Sequence, residues 1–335
     1  MSQINPAPVK PTSAMRNSVK LKLRDIFSAE EISQLTARSD LMGWSAVLFT
    51  WGVIALVFVA LAVWPHPLMW CIAFIILGGR QLSLAIMMHD ASHGTLFKTK
   101  WLNDVLADYV CGSPVGVDIK QYRQHHLTHH IKTGTDADTD KSLSAPFPTS
   151  RSSLLRKFAR DLSGISGIKR EFGLLLMNAG VIRWTVASDI AKLPQEGRTW
   201  RDYAQSIARN SWKNVAFHLL LITLLTVAGY PWLYLAWLGA YLTTYSLFMR
   251  IRSIAEHACT EASTDMFLNT RSTRAGLLAR ATVAPLRVNH HIEHHLMASV
   301  PYFKLPAMHQ MLRERGYLAA PPGYMDVLKL ASTPS

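Results

Sequence analysis

Cysteine is scarce: Cys71, Cys111 and Cys259 are the three in 335 residues, and no two stand in a CxxC spacing. That excludes a disulfide framework and a thiolate-held iron–sulfur cluster, and it leaves reduced thiols whose expected role is packing. Acidic residues are few as well, 22 Asp and Glu against 35 Lys and Arg, for a formal net charge of +13. The chain lacks the glycine-rich GxGxxG turn of dinucleotide folds, and no appended haem domain is detectable. The first 41 residues are polar and the first apolar run is too long for an h-region, so no secretory signal peptide is expected. Residues 1–15, rich in Pro and Ser, are expected to be a disordered tail.

Long apolar runs are abundant. Residues 42–64 contain no charge over 23 positions, enough for about 34 Å of helix. Residues 67–88 are apolar apart from Arg80, Gln81 and small polar residues, and the short Pro65-His66 turn makes this helix antiparallel to the first. A second hairpin is expected from 215–230 and 232–250 around Pro231. The resulting expectation is an all-α integral membrane protein with four transmembrane helices in two hairpins. It divides into an N-terminal cytoplasmic tail and interfacial segment (1–41), a membrane domain (42–318) and a C-terminal tail (319–335).

The cations fix an orientation. Residues 1–41 hold six Lys and Arg, 89–213 hold 18, and 250–335 hold ten; Arg80 is the remaining one. Neither hairpin tip carries any, so the positive-inside rule puts both termini and the middle segment on the cytoplasmic side, at the inner membrane if the source is bacterial. The basic charge is then explained by topology and by attraction to anionic lipid, without nucleic acid. Within the middle segment, Leu155, Phe158, Leu162 and Ile165 recur at helical spacing between arginines and predict a helix lying in the interface. Tyr109 to Val117 is broken by Gly and Pro and reads as a buried or re-entrant loop.

Histidine carries the chemistry. Ten of the 14 fall in His89-Asp-Ala-Ser-His93, His125-His-Leu-Thr-His-His130 and His290-His-Ile-Glu-His-His295. Residues three and four apart share a helix face, so His89/His93, His126/His129/His130 and His291/His294/His295 can aim their rings together. Eight imidazoles are too many for one ion and suit two, which makes a dinuclear metal site the expectation. His125 and His290 would point away from their neighbours, and His66, His218 and His309 are not expected to be ligands.

In the order and spacing of these boxes the chain resembles the membrane fatty acid desaturases and their hydroxylase relatives. The acidic run Asp136-Ala-Asp-Thr-Asp140 after the second box and Val300-Pro-Tyr-Phe-Lys-Leu-Pro306 after the third extend the likeness across roughly residues 42–318. The resemblance implies a nonheme di-iron centre using O2, in a mushroom-shaped helical fold whose cytoplasmic cap holds the metals. It implies His89, His93, His126, His129, His130, His291, His294 and His295 as iron ligands, with His257 as a ninth. Metal-bound imidazoles commonly donate their second N–H to a carboxylate, and Asp90, Asp138 and Glu256 are the expected partners. No catalytic side chain beyond the metal site is expected. Arg80, costly inside a span, should pair with a buried acid or mark a polar substrate end.

The expected reaction is desaturation of a fatty acyl chain, with hydroxylation or oxidative decarboxylation to a terminal alkene as the alternative. Electrons would come from an external ferredoxin, or a cytochrome with its reductase, drawn to the basic cap. Two other classes have some support. His290-His-Ile-Glu-His294 fits the inverted H-x-x-E-H zinc peptidase motif, though zinc needs only three protein ligands. A metal carrier would place its ligands near the bilayer midplane.

Overall fold

A computed structural model describes residues 23–187 and 189–333. The expected tail at 1–15 lies outside the described residues. Among the described residues the fold is all-helical, with no strand. A short helix α1 (Ala29–Leu35) leads into α2 (Asp40–Val63), whose N-cap Ser39 accepts a hydrogen bond from the Met42 amide. Pro67 opens α3 (Pro67–Ser92), with His66 Nδ1 accepting from the Leu68 amide at its N-cap. These two helices, at 24 and 26 residues, are long and apolar enough to cross a membrane.

Their exposure differs in a way that fixes their places. α2 turns Leu48, Phe49, Leu56, Val59 and Val63 outward, whereas every residue of α3 from Leu77 to Ser92 is buried. α3 is therefore the central post, and α2 and the later helices pack around it. Small residues permit the closest approaches. A Cβ added at Gly78 would stand 2.3 Å from Thr244 Oγ1, and one at Gly79 would stand 2.2 Å from the Ala281 carbonyl oxygen.

The segment expected as a re-entrant loop is instead wound into wide helical turns, Leu102–Leu106 and Asp108–Gly112, closed by a tight turn at Ser113–Val115. Buried hydrogen bonds compensate for its Gly and Pro: Asp108 accepts from the Ile119 amide at 2.9 Å and from Lys213 Nζ at 2.5 Å. The second histidine box follows on α4 (Ile119–Lys132), capped by Asp118. The expected interfacial helix is split by Gly164, at φ 82°, into α5 (Arg151–Leu162) and α6 (Ile165–Asn178). Leu155, Leu162 and Ile165 are exposed, while Phe158 packs on the cap.

The second hairpin differs from expectation at both ends. Its first arm, α7 (Trp200–Val227), begins well before residue 215. Its second arm is broken at Thr243 into α8 (Tyr234–Leu242) and α9 (Thr244–His257). α7, at 28 residues, has the length but not the apolarity of α2 and α3, and α8 and α9 are shorter. Arg250 of α9 forms a bidentate pair with Asp161, which is fully buried. The third box lies on α10 (His291–Leu296), followed by α11 (Leu305–Glu314). Residues 319–335 include a docked helix, α12 (Tyr324–Ala331), whose Val327 and Ala331 pack against Ile254 and Ala258. Of the cysteines, Cys111 is buried, Cys259 is intermediate and Cys71 is exposed, so packing accounts for Cys111 but not for Cys71.

Candidate metal centre

Three helix ends meet at the cap. The C-terminal turn of α3 supplies His89 and His93, α4 supplies His126, His129 and His130, and α10 supplies His291, His294 and His295. His257 arrives on the last turn of α9. Arg123 joins the first two boxes: its guanidinium donates to the Ser92 carbonyl at 2.7 Å and to Asp104 at 2.7 Å.

The nine imidazoles gather in two sets. His89, His93, His126, His130 and His294 bring one nitrogen each within 4.8 Å of one another. His129, His257 and His295 do the same, and His291 joins them through His257, Nε2 to Nε2 at 2.8 Å. Helix geometry explains the division. His126 and His130 are one turn apart and aim alike, while His129 and His130 diverge by about 100° and serve different sets. His294 and His295 divide in the same way.

The donor atoms fit metal ions. His89 Nε2, His93 Nε2 and both ring nitrogens of His295 are buried without a hydrogen-bond partner among the described residues, an arrangement that is costly unless something else satisfies them. Nε2 atoms approach at 3.0 Å in His126/His130 and His130/His294. Adjacent ligands about 2.1 Å from one ion stand about 3 Å apart, so these spacings suit imidazole ligation. Burial also holds most of the rings neutral, which is the ligating form. It lowers His93 to about 4 and His130 to about 2, and it puts His126, His294 and His295 well below the ordinary value.

Carboxylates stand behind the rings. Asp90 Oδ1 lies 2.8 Å from His89 Nδ1, and Asp138 Oδ1 lies 2.7 Å from His129 Nδ1. At His129 burial pulls the pKa down, but the Asp138 hydrogen bond and the Asp140 and Glu256 charges outweigh it and the value rises. Glu256 is raised to about 7 by burial, against the opposing Arg252. Its Oε1 accepts from Arg252 Nε at 2.7 Å and stands 3.7 Å from His291 Nδ1, too far for a hydrogen bond.

Some contacts escaped sequence reasoning. Arg252, four residues before Glu256, is an i,i+4 pair on α9 that spacing could have indicated. His125 meets Asp140 at 2.6 Å, outside both sets. His290, Glu293 and His309 form a further group: Glu293 takes His309 Nδ1 at 2.5 Å and the Ser272 hydroxyl at 2.6 Å, while His290 Nδ1 is buried without a partner among the described residues. This group separates His290 from His294, so the two histidines of the H-x-x-E-H peptidase motif do not converge, and its glutamate is already occupied. Arg80 has no acidic partner among the described residues. It donates to the Ala281 carbonyl at 2.9 Å and lies over the Phe49 ring, which corrects the expected acid pairing.

Comparison with known proteins agrees with this arrangement. The family model described as fatty acid desaturase matches residues 65–325. The chain is 24% identical to the sn-1 oleoyl-lipid 12-desaturase of a Synechocystis strain over 91% of this chain and 85% of that protein. It is 26% identical to the dihydrorhizobitoxine desaturase of Bradyrhizobium elkanii over 87% and 82% of the two chains. A shorter match, 35% over 23% of this chain and 20% of the other, is to the sn-1 acyl-lipid omega-3 desaturase (ferredoxin) of Synechocystis. The three histidine boxes fall within the matched span, and the chain belongs to the fatty acid desaturase family.

Proposed function

We propose that this chain is an O2-dependent di-iron desaturase of a fatty acyl chain, embedded in a membrane by four spans with its metal centre and termini on the cytoplasmic side. The observation that carries the reading is the convergence of nine imidazoles in two sets. Two sets match two ions, and an all-nitrogen donor set suits iron. The ligands are His89, His93, His126, His130 and His294 for one ion and His129, His257, His291 and His295 for the other. Iron held there supplies the oxidising chemistry: with O2, two external electrons and two protons, a saturated carbon pair loses two hydrogens and two waters form.

The remaining work belongs to this chain's residues. Asp90 and Asp138 hold a proton between carboxylate and Nδ1 of His89 and His129, which leaves each Nε2 lone pair for the metal and fixes ring orientation. The Arg252–Glu256 pair balances charge beside His291 and His257. Six of the nine rings are buried and three are half-buried, so bulk water is kept from the donor nitrogens.

Membrane placement is supported by α2 and α3 and by the exposed apolar surface of α7, where Leu219, Leu220, Leu224 and Val227 face outward. A ferredoxin-type donor is supported by the printed name of one relative and by the basic cap. The relatives' names support desaturation over oxygen insertion. The test is aerobic incubation of the purified chain with mixed acyl lipids, a ferredoxin and its reductase. Desaturation gives products lighter by two hydrogens. A product heavier by one oxygen would mean hydroxylation, and a terminal alkene one carbon shorter would mean decarboxylation.

A further inference from the structure

A second pocket lies on the other side of α3. It is a cavity of about 430 Å³ between α2, α3 and the segment 280–287, and no acidic residue lines it. Arg80, Arg280 and Arg287 line it together with Thr50, Ser83 and Tyr302. Arg80 is 6% exposed, and one hydrogen bond to a carbonyl and the Phe49 ring face are its contacts. The guanidinium groups of Arg280 and Arg287 have no hydrogen-bond or ion-pair partner among the described residues. Three guanidinium groups without a counter-charge around one cavity make an anion site.

Three independent features point to the kind of anion. Leu286 and Arg287 both adopt left-handed backbone, at φ 50° and 60°. Two successive non-glycine residues in that region are strained, and strain of this kind collects where a ligand is clamped. Leu277 and Leu278, three and two residues before Arg280, are 85% and 75% exposed, an apolar surface that suits an acyl chain rather than water. Finally, the pocket runs from Thr50 and Ser83, bonded to each other at 3.1 Å, to Ser45, five residues from the start of α2, which is about 8 Å of helix from its cap end. Arg80 and His89 are nine residues apart, which puts them about 180° apart around α3. The pocket therefore faces away from the metal centre.

We infer that this pocket binds the anionic head of a membrane amphiphile, in the first place the phosphate of an anionic phospholipid, with its chains over Leu277 and Leu278. The inference rests on the membrane placement proposed above but not on the reaction. Three guanidinium groups exceed the need of one carboxylate, which is why phosphate is favoured. The carboxylate of a free fatty acid shares the same chemistry.

The test uses the full, metal-loaded chain in detergent. Binding is read as thermal stabilisation on titration with phosphatidylglycerol, phosphatidylcholine, dodecyl phosphate, dodecanoate and inorganic phosphate. Arg280→Gln/Arg287→Gln is compared with Arg156→Gln/Arg160→Gln, a charge-matched change on exposed positions of α5. The expected result is about tenfold weaker phosphatidylglycerol binding in the pocket variant and little change in the control. Dodecyl phosphate acting in place of phosphatidylglycerol assigns the phosphate, whereas dodecanoate acting alone assigns a free acid as the source. Equal losses in both variants, no loss in either, or inorganic phosphate binding as well as the amphiphiles would overturn the inference. If the double variant does not fold, Arg280→Gln alone, on the exposed rim, gives the same reading. Iron content and product formation, measured separately, show whether the desaturase reading itself has failed.

Discussion

His257 Nε2 stands 2.8 Å from His291 Nε2, which brings the end of α9 into the third histidine box across 34 residues of chain. Without His257 the second set would hold His129, His291 and His295, three ligands in place of four. His257→Ala is therefore expected to reduce bound metal from two ions to about one per chain while the five-histidine set keeps its ion. Metal analysis of the purified variant checks this, and two ions retained would remove His257 from the site.

Asp138 orients His129 through a 2.7 Å contact to Nδ1. Asp138→Asn keeps the shape but weakens the acceptor, and metal affinity should fall by roughly ten- to a hundredfold. Chelator competition measures it. Asp136→Asn, at an exposed carboxylate, serves as the control and should leave affinity unchanged.

The site's chemistry was far more legible in the sequence than its supports. Histidines at i, i+3 and i+4 and a 23-residue uncharged run are local signals, so α2, α3 and the box faces could be read from residue types alone. The break at Thr243, the Ala281 partner of Arg80 and the docking of α12 depend on contacts between residues far apart in sequence, such as the 201 positions between Arg80 and Ala281. Local periodicity carries no record of them. Between Tyr109 and Val117 the Gly and Pro indicate a loop, whereas the bonds of Asp108 to the Ile119 amide and to Lys213 sustain a helical path.

Lys213 bonds both Asp108 and Asp118, so Lys213→Met leaves two carboxylates uncompensated beside the second box. The expected loss is about 2 kcal/mol, the cost of breaking a buried pair discounted for partial exposure. The pH profile should change too. Burial opposes ionisation of Asp118, but Lys213 and the Lys120 and Gln121 amides prevail and hold it below its ordinary 3.8. Its contribution is present above that value and lost as pH falls through the lower folded value. Lys213→Met should flatten the acid end of a thermal-stability profile. An unchanged profile would show that the triad adds nothing.

Gly79 lies against a backbone carbonyl, so Gly79→Ala should cost about 1–3 kcal/mol by overpacking the α3 contact. Gly52, on the outward side of α2, has nothing within 4 Å of an added Cβ. Gly52→Ala should be neutral or stabilising by up to about 1 kcal/mol through helix propensity. Thermal melts of the two variants side by side decide it, and equal behaviour would contradict the assigned packing.

The central claim is that the nine histidines form one two-iron centre, and elemental analysis of the purified, metal-replete chain tests it most directly. The expected result is close to two irons per chain, falling toward zero in a variant that combines His93→Ala and His295→Ala, one from each set. A single zinc per chain, or iron unaffected by those substitutions, would contradict it.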